Sequence, residues 1–361
     1  MHAAPARSPI AARFMEDEDT DAGTASTSLN AGSTRLERAE DYKGGTVGNA
    51  STRGRRTALL AASLALLGLF LAVGAVGAYR YGHDYWLYRG FPAPKDPAFV
   101  KQTGTAQEIS VRSPALGGRS QPVEIYLPPG YASSPLRRYP VIYLLHGFPG
   151  RPFAFLLTVR AGVVEDELAA TGAAQPAILV MPFGSTGTFT DKEWVDGIRP
   201  HEGWESFVAR DLVRSIDSTY RTIPDGADRA IAGLSEGGYG ALNIGLHHPG
   251  EFGVLESWSG YVRADNLKSI FGGDPRLLAR NSPLATLAAV APRLRRARTY
   301  IWFYSGSVDR LRHQNEAFAA ELTGAGVQHR YFVVRGGHNW ALWRGNAARA
   351  LLAALRRFPH G

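Results

Sequence analysis

The chain has 361 residues, of which 45% are hydrophobic, and carries a formal net charge of +8. This composition supplies enough apolar surface for a buried core and excludes a wholly disordered chain. The absence of cysteine excludes disulfide bonds, thiolate metal sites and a thiol nucleophile. The cellular compartment must therefore be inferred from targeting segments rather than from redox chemistry.

The positive charge lies outside the N-terminal region. Among residues 1–56, eight Lys and Arg balance eight Asp and Glu, so the whole excess follows residue 56. The densest basic stretch comprises Arg293, Arg295, Arg296 and Arg298, and no nucleic-acid-binding motif surrounds it. We interpret these arginines as an exposed helix face and predict no nucleic-acid partner.

The N-terminal region predicts a tail followed by a membrane segment. Residues 1–56 are rich in Ala, Ser, Thr and Gly and lack apolar periodicity, so we expect a disordered cytoplasmic tail. Arg53, Arg55 and Arg56 precede an uncharged apolar run, residues 57–78, which is long enough to cross a bilayer as one helix. Basic residues stay on the cytoplasmic side, which places the rest of the chain outside the cytoplasm.

Two interpretations of this apolar run remain open. A retained signal anchor is favoured by the length of the preceding tail and by an aromatic belt after the run. A signal peptide cut at Val76-Gly77-Ala78 would instead release a secreted protein. Residues 79–105 are predicted to be a linker and residues 106–361 the folded domain. The aromatic belt consists of Tyr79, Tyr81, Tyr85, Trp86 and Tyr88.

The predicted domain alternates strand-like and helix-like segments. Residues 107–111 and 123–127 alternate apolar and polar side chains and predict an antiparallel opening pair. Further strands are predicted at 141–145, 177–181, 230–232, 254–258, 300–304 and 331–334. Helices are predicted at 155–168, 204–220, 241–248, 315–322 and 341–358. The alternation predicts an α/β fold with a mostly parallel central sheet and helices on both faces.

The most informative motif is Gly233-Leu234-Ser235-Glu236-Gly237, which follows a predicted strand and precedes a helix-like stretch. This order is that of the nucleophile elbow of α/β-hydrolases. Its turn is so tight that only glycine beside the serine lets strand and helix pass each other. The motif predicts Ser235 as a nucleophile. Because the chain has 41 Gly, an ordinary glycine-rich turn is the alternative.

Two further loops carry the expected partners of this serine. His146-Gly147 follows a buried strand, where an α/β-hydrolase builds half of its oxyanion hole. The predicted donors are the N–H of Glu236 and that of Phe148 or Gly147, and the side chain of His146 would only support the turn. His338 lies on a glycine-containing loop after the last strand and is the predicted general base.

An acid is expected between the serine and the histidine in sequence. Asp309 follows the predicted strand 300–304 and has that position, and it could also cap the next helix. Glu256 is the rival acid, although it lies within a strand-like run. The predicted triad is therefore Ser235, Asp309 and His338.

At this point the chain resembles a known family. Residues 107–358, roughly 70% of the chain, resemble the esterase-D-like, or putative esterase, branch of the α/β-hydrolases. That branch includes S-formylglutathione hydrolases, feruloyl and enterobactin esterases and the bacterial mycolyltransferases. The resemblance lies in four stretches: Tyr126-Leu127-Pro128-Pro129-Gly130-Tyr131, Tyr139-Pro140-Val141-Ile142-Tyr143-Leu144-Leu145-His146-Gly147, Arg229-Ala230-Ile231-Ala232-Gly233-Leu234-Ser235 and Gly337-His338-Asn339-Trp340.

The resemblance implies Ser235 as nucleophile, Asp309 as acid and His338 as base. One position departs from the family, because Glu236 stands where relatives commonly have methionine. A carboxylate there would oppose charge on the oxyanion unless it points away or is paired. Four tryptophans are candidates for the pocket wall, with packing in the core or at the rim as the alternative for each: Trp194, Trp204, Trp340 and Trp343.

The functional expectation is a membrane-anchored, extracytoplasmic serine esterase that acts through an acyl-enzyme. Its substrate would be a small-molecule, lipid or sugar ester, and no cofactor or metal is expected. An acyltransferase of the mycolyltransferase type and a non-catalytic binding module on the same fold are the alternatives.

Overall fold

The structure is a computed structural model that describes residues 49–187, 189–190 and 192–359. Most of the predicted tail, residues 1–48, lies outside the described residues. The chain divides into two compact units, Met1–Gly68 and Leu69–Gly361. The described part of the first unit is helical, and the second unit contains the sheet.

Helix α1 (Asn49–Tyr88) contains the predicted membrane segment. Its stretch Gly54–Tyr88 is long and apolar enough to cross a membrane, with a hydropathy of 2.5 and no burial in its most apolar window. A signal sequence passes the same test, so both interpretations of the apolar run stay open. The helix also includes residues 49–56, which the sequence placed in the disordered tail, and residues 79–88, which it placed at the start of a linker.

An eight-stranded sheet forms the centre of the second unit, with the strand order β1-β2-β4-β3-β5-β6-β7-β8. The pairs β1/β2 and β2/β4 are antiparallel, and all other neighbours are parallel. The predicted fold class and the antiparallel opening pair are thus confirmed. The strands are β1 (Thr105–Ser113), β2 (Arg119–Leu127), β3 (Val141–Leu145), β4 (Ile178–Pro182), β5 (Arg229–Leu234), β6 (Val254–Trp258), β7 (Tyr300–Gly306) and β8 (His329–Val334).

Helices cover both faces of this sheet because the central strands are apolar on both sides. In β3, Val141 and Tyr143 face one core and Ile142 and Leu144 the other, as the two-residue period of a strand requires. The helices are α2 (Phe153–Leu157), α3 (Ala161–Ala170), α4 (Trp204–Ser206), α5 (Val213–Thr219), α6 (Glu236–His247), α7 (Pro275–Arg280), α8 (Pro283–Arg296), α9 (Arg312–Gly324) and α10 (Trp340–Leu355). The first core includes side chains of α5, α6, α8 and α9, and the second includes side chains of α2, α3 and α10.

Three helical predictions differ from the structure. The predicted helix 155–168 is two helices, because Arg160 between them has a left-handed backbone with φ of 61°. Thr158 in this break donates its hydroxyl to the carbonyl of Leu87 at 2.8 Å, and its own carbonyl accepts from Arg344 at 2.6 Å. The predicted helix 204–220 contains a π-helical segment, Phe207–Leu212, between α4 and α5. Helix α6 begins directly after Ser235 and not at residue 241.

Short 3-10 helices occur at Pro114–Leu116 and Gly226–Asp228. Helices α7 and α8, which lie between β6 and β7, were not predicted from the sequence. The arginines at the end of α8 were nevertheless interpreted as part of an exposed helix face. Arg293, Arg295 and Arg296 lie in its last turn and are exposed, as predicted, whereas Arg298 is exposed but lies beyond the end of the helix.

Candidate active site

Ser235 occupies a sharp turn between β5 and α6. Its backbone has φ of 55° and ψ of −119°, a conformation that non-glycine residues rarely adopt. A Cβ atom on Gly233 would lie 2.2 Å from the carbonyl oxygen of Gly237, and one on Gly237 would lie 1.9 Å from that of Leu145. Only hydrogen fits at both positions, which is the physical reason for the G-x-S-x-G pattern.

The structure brings the three residues of the predicted triad together. The Oγ atom of Ser235 lies 2.8 Å from Nε2 of His338, and Nδ1 of His338 lies 2.9 Å from Oδ2 of Asp309. The three residues follow β5, β8 and β7, so they meet at the carboxyl end of the parallel strands. An Nδ1–H that donates to Asp309 leaves Nε2 of His338 as the acceptor for the serine hydroxyl.

The carboxylate of Asp309 is held by more than the histidine. Its side chain is fully buried, and Oδ2 also accepts a hydrogen bond from the hydroxyl of Ser259. The N–H of Leu311 donates to Oδ1 at 2.9 Å. Burial raises the pKa of Asp309, but the bonds from His338, Ser259 and Leu311 outweigh it, so the pKa lies below its ordinary value. Asp309 is therefore ionised at neutral pH.

The rival acid Glu256 has a different environment. It is fully buried in β6, and the indole N–H of Trp258 donates to its Oε2 at 2.9 Å. Burial raises the pKa of Glu256 well above its ordinary value. Glu256 thus bonds to Trp258, whereas Asp309 bonds to His338, so the geometry favours Asp309.

The loop after β3 lies against the serine. An added Cβ atom on Gly147 would be 3.0 Å from Cβ of Ser235. His146 is buried, with Nδ1 at 3.0 Å from the carbonyl oxygen of Gly147 and Nε2 accepting from the N–H of Gly184 at 3.1 Å. Burial lowers the pKa of His146 to about 4, so the ring is neutral and donates from Nδ1.

This contact orients one peptide group. In a trans peptide the carbonyl of Gly147 and the N–H of Phe148 point in opposite directions. His146 binds the carbonyl, so the N–H of Phe148 is directed away from the His146 ring. The predicted supporting role of the His146 side chain and the predicted donor role of Phe148 fit this arrangement.

Glu236 provides the second predicted donor through its backbone. It is the first residue of α6, so its N–H lies at the positive end of the helix dipole, directly after Ser235. The side chain of Glu236 is buried and is not part of the cavity wall. The carboxylate is therefore not part of the surface that a ligand in the cavity would contact.

Ser235, His338 and Phe148 line a cavity of about 380 Å³. Trp340 and Trp343 are also in its wall, whereas the other two candidate tryptophans of the sequence are fully buried in the core. The ring of Trp343 meets that of His338 edge to face at 5.1 Å. Within the described ranges, no group of three or more His, Asp or Glu side chains is placed to hold a metal ion.

Some residues of the site carry no sequence signal. Ser259 lies 50 residues from the carboxylate that it binds. Arg89 and Arg310 also line the cavity, and neither belongs to a motif that predicts such a position. The position of Arg310, next to the predicted acid, was the one available hint.

Comparisons with known proteins identify the family of the chain. A family model described as "Putative esterase" matches residues 113–354. An endo-1,4-beta-xylanase/feruloyl esterase of Xylanibacter ruminicola is 34% identical over 44% of this chain and 22% of its own length. An esterase of Mycobacterium tuberculosis is 28% identical over 60% of this chain and 52% of its own.

The chain thus spans about half or less of the length of these curated relatives. A solved ferulic acid esterase structure superposes with a TM-score of 0.63 at 26% identity, covering 71% of this chain and all of the other. Because the family model covers most of the second unit, the chain belongs to the putative esterase family of α/β-hydrolases.

Proposed function

We propose that the protein is a membrane-anchored, extracytoplasmic serine esterase that hydrolyses carboxylic esters through an acyl-enzyme. The observation that carries the proposal is the 2.8 Å contact between Ser235 Oγ and His338 Nε2 at the wall of a cavity. A nucleophile that touches its base, with an ionised acid behind the base, is the arrangement that acyl transfer requires.

In the first half of the reaction, Ser235 Oγ attacks the ester carbonyl carbon while His338 Nε2 takes the hydroxyl proton. Asp309 stabilises the imidazolium that forms. The carbonyl oxygen becomes an oxyanion, which the N–H groups of Phe148 and Glu236 stabilise. When the bond to the alcohol oxygen breaks, His338 gives its proton to that oxygen, and the acyl group remains on Ser235.

In the second half, water enters the cavity and attacks the acyl carbon. His338 takes a proton from the water, and the same backbone N–H groups stabilise the second oxyanion. Collapse of this intermediate breaks the bond to Ser235, His338 returns the proton to Oγ, and the carboxylic acid leaves. An alcohol in place of water would make the same residues an acyltransferase.

The proposed location rests on α1 and on the charges around it. A helix that can cross a membrane, with three arginines before its apolar run, favours an N-terminus in the cytoplasm and a domain outside it. The feruloyl esterase among the relatives supports an ester as substrate, since its printed name describes that activity.

A fluorophosphonate probe tests the proposed chemistry because it labels only an activated serine. We expect the full-length protein in detergent to be labelled and to hydrolyse 4-nitrophenyl acetate, and Ser235→Ala to lose both properties. Ser269→Ala, which removes an exposed serine hydroxyl, is the matched control and should behave as wild type. A folded wild-type protein that is neither labelled nor active would instead indicate a binding module.

A further inference from the structure

The charged side chains in the wall of the cavity beside Ser235 are of one sign. Of the residues that the structure describes, two arginines, Arg89 and Arg310, are in its wall, and no Asp or Glu is. Asp309 lies behind His338, with its carboxylate engaged by His338 and Ser259. The charged side chains that a ligand in this cavity would meet are therefore cationic.

Two aromatic rings hold Arg89 in place, and no ion pair with a described residue involves it. Its guanidinium carbon lies 4.1 Å from the ring centroid of Trp86 and 5.5 Å from that of Trp340. Its Nε atom is buried without a hydrogen-bond partner in the described part of the chain. Burial of a guanidinium costs part of its hydration free energy, and no anion among the described residues compensates for that cost here. An anionic ligand would provide the compensation.

Arg310 supplies the second positive charge of the cavity and lies far from Arg89 in the sequence. It follows Asp309 directly and is exposed. Among the described residues, no ion pair or side-chain hydrogen bond involves Arg310, so its guanidinium needs no other contact to be broken before it binds a ligand. Arginine has five N–H donors in a planar fork, which matches the two oxygens of a carboxylate or phosphate.

We propose that this cavity takes an ester that carries a negatively charged oxyacid group, and that Arg89 and Arg310 bind that group while Ser235 attacks the ester carbonyl. The inference rests on the proposed serine esterase activity and narrows its substrate class. The products of such a reaction are an alcohol and a carboxylic acid, of which one bears the additional anionic group.

Matched esters test this specificity in the full-length protein. The neutral substrate is methyl 4-acetoxybenzoate, and its anionic partners are 4-acetoxybenzoate and 4-acetoxyphenyl phosphate, which separate a carboxylate from a phosphate. A second pair, 4-nitrophenyl hexanoate and the mono-4-nitrophenyl ester of adipic acid, places the charge on the acyl side. We expect wild type to have a higher kcat/KM for at least one anionic ester than for its neutral partner.

Substitution of either arginine should reduce this preference. Arg310→Gln and Arg89→Gln are each expected to lower the ratio of anionic to neutral kcat/KM by about 10- to 100-fold, the usual range for a lost charge-assisted hydrogen bond. Arg89→Lys keeps the charge and should retain part of the ratio. Arg276→Gln removes the same charge from an exposed position outside the cavity and should leave the ratio unchanged.

Binding to Ser235→Ala gives a readout that does not need turnover. Its Kd for the preferred anionic ester should be lower than that for the neutral partner, and adding Arg310→Gln should raise it about 10-fold or more. If wild type hydrolyses none of the esters but this binding preference persists, the esterase proposal fails and the anionic site stands. Equal affinities for charged and neutral esters, unchanged by either arginine substitution, would overturn the anionic site.

Discussion

Ser259 donates its hydroxyl proton to the same carboxylate oxygen of Asp309 that accepts from His338. Ser259 is fully buried at the end of β6, and its backbone has a positive φ of 59°. Ser259 thus combines an unfavourable backbone conformation with a hydrogen bond to the proposed acid. With the N–H of Leu311 on its other oxygen, the carboxylate is fixed by three donors before any substrate binds.

The first prediction follows from this contact. Ser259→Ala removes one of the hydrogen bonds that lower the pKa of Asp309, so kcat should fall by about 3- to 30-fold. A depressed carboxyl pKa contributes stability above the unfolded pKa, and this contribution is lost as pH falls through the folded pKa. In Ser259→Ala, acid unfolding should therefore begin at a higher pH.

Steady-state kinetics and acid titration monitored by circular dichroism measure both effects. Ser257→Ala is the matched control, because Ser257 is also buried but accepts from the N–H of Gly260. If the two alanine variants lose the same activity, Ser259 has no special relation to Asp309.

The second prediction assigns the acid. Asp309→Asn keeps the shape but removes the charge behind His338, so kcat should fall by roughly two to four orders of magnitude with KM nearly unchanged. Glu256→Gln should cost about tenfold or less, because that carboxyl is buried and bonds to Trp258 rather than to His338. Measuring kcat for both variants separates the assignments. A large loss of kcat in Glu256→Gln, together with a normal kcat in Asp309→Asn, would contradict the assignment of Asp309 as the acid.

The third prediction concerns the oxyanion hole. His146→Phe keeps a buried ring but loses the contact with the carbonyl of Gly147, so the peptide that carries the N–H of Phe148 is no longer fixed. We expect kcat to fall about 10- to 100-fold while KM changes little, since the N–H acts on the oxyanion and not on the bound ester. A rise in KM with unchanged kcat would mean that the loop only shapes the cavity.

The fourth prediction concerns pH. The pKa of His146 is lowered from 6.5 to about 4 by burial, so between these values the unfolded chain binds more protons than the folded one. Stability from this group is fully present above 6.5 and is lost as pH falls toward 4, by an amount on the order of 3 kcal/mol.

Urea unfolding of wild type and of His146→Phe across this range measures the difference. We expect the variant to lose less stability than wild type on acidification. His247, whose raised pKa adds stability below 6.5, works in the opposite direction in both proteins and cancels in the comparison. Parallel curves for the two proteins would show that His146 is protonated at its ordinary pKa.

The fifth prediction concerns topology. If α1 is a retained anchor, protease added outside intact cells should digest the sheet-containing unit but not a tag at residue 1. Membrane extraction at high pH should leave the protein in the pellet. Recovery of a soluble extracellular protein that begins near Tyr79 would identify the apolar run as a cleaved signal peptide.

Much of the fold could be predicted because it depends on local sequence patterns. The buried strand β3 is a continuous apolar run, and the requirement for glycine beside Ser235 is a matter of a few atoms within one turn. The order of serine, acid and histidine followed from the strand order of one fold family. These features depend on neighbours in sequence or on a shared topology.

What could not be predicted depends on contacts between distant segments. The helix break near Thr158 is stabilised by bonds to Leu87 and Arg344, 71 and 186 residues away. The contact between Ser259 and Asp309 spans 50 residues. No periodicity or motif marks such pairs, because each side chain alone is ordinary for its position.

The bond between Thr158 and the carbonyl of Leu87 has a consequence for how the enzyme would search for substrate. Arg89, two residues beyond Leu87, is in the cavity wall. No long flexible linker therefore separates the last turn of α1 from the cavity. On the proposed anchor, the reactive serine would for this reason be kept close to the membrane. Esters that diffuse within the plane of the membrane would then meet it by a two-dimensional search, and those in bulk water only by descending to the surface.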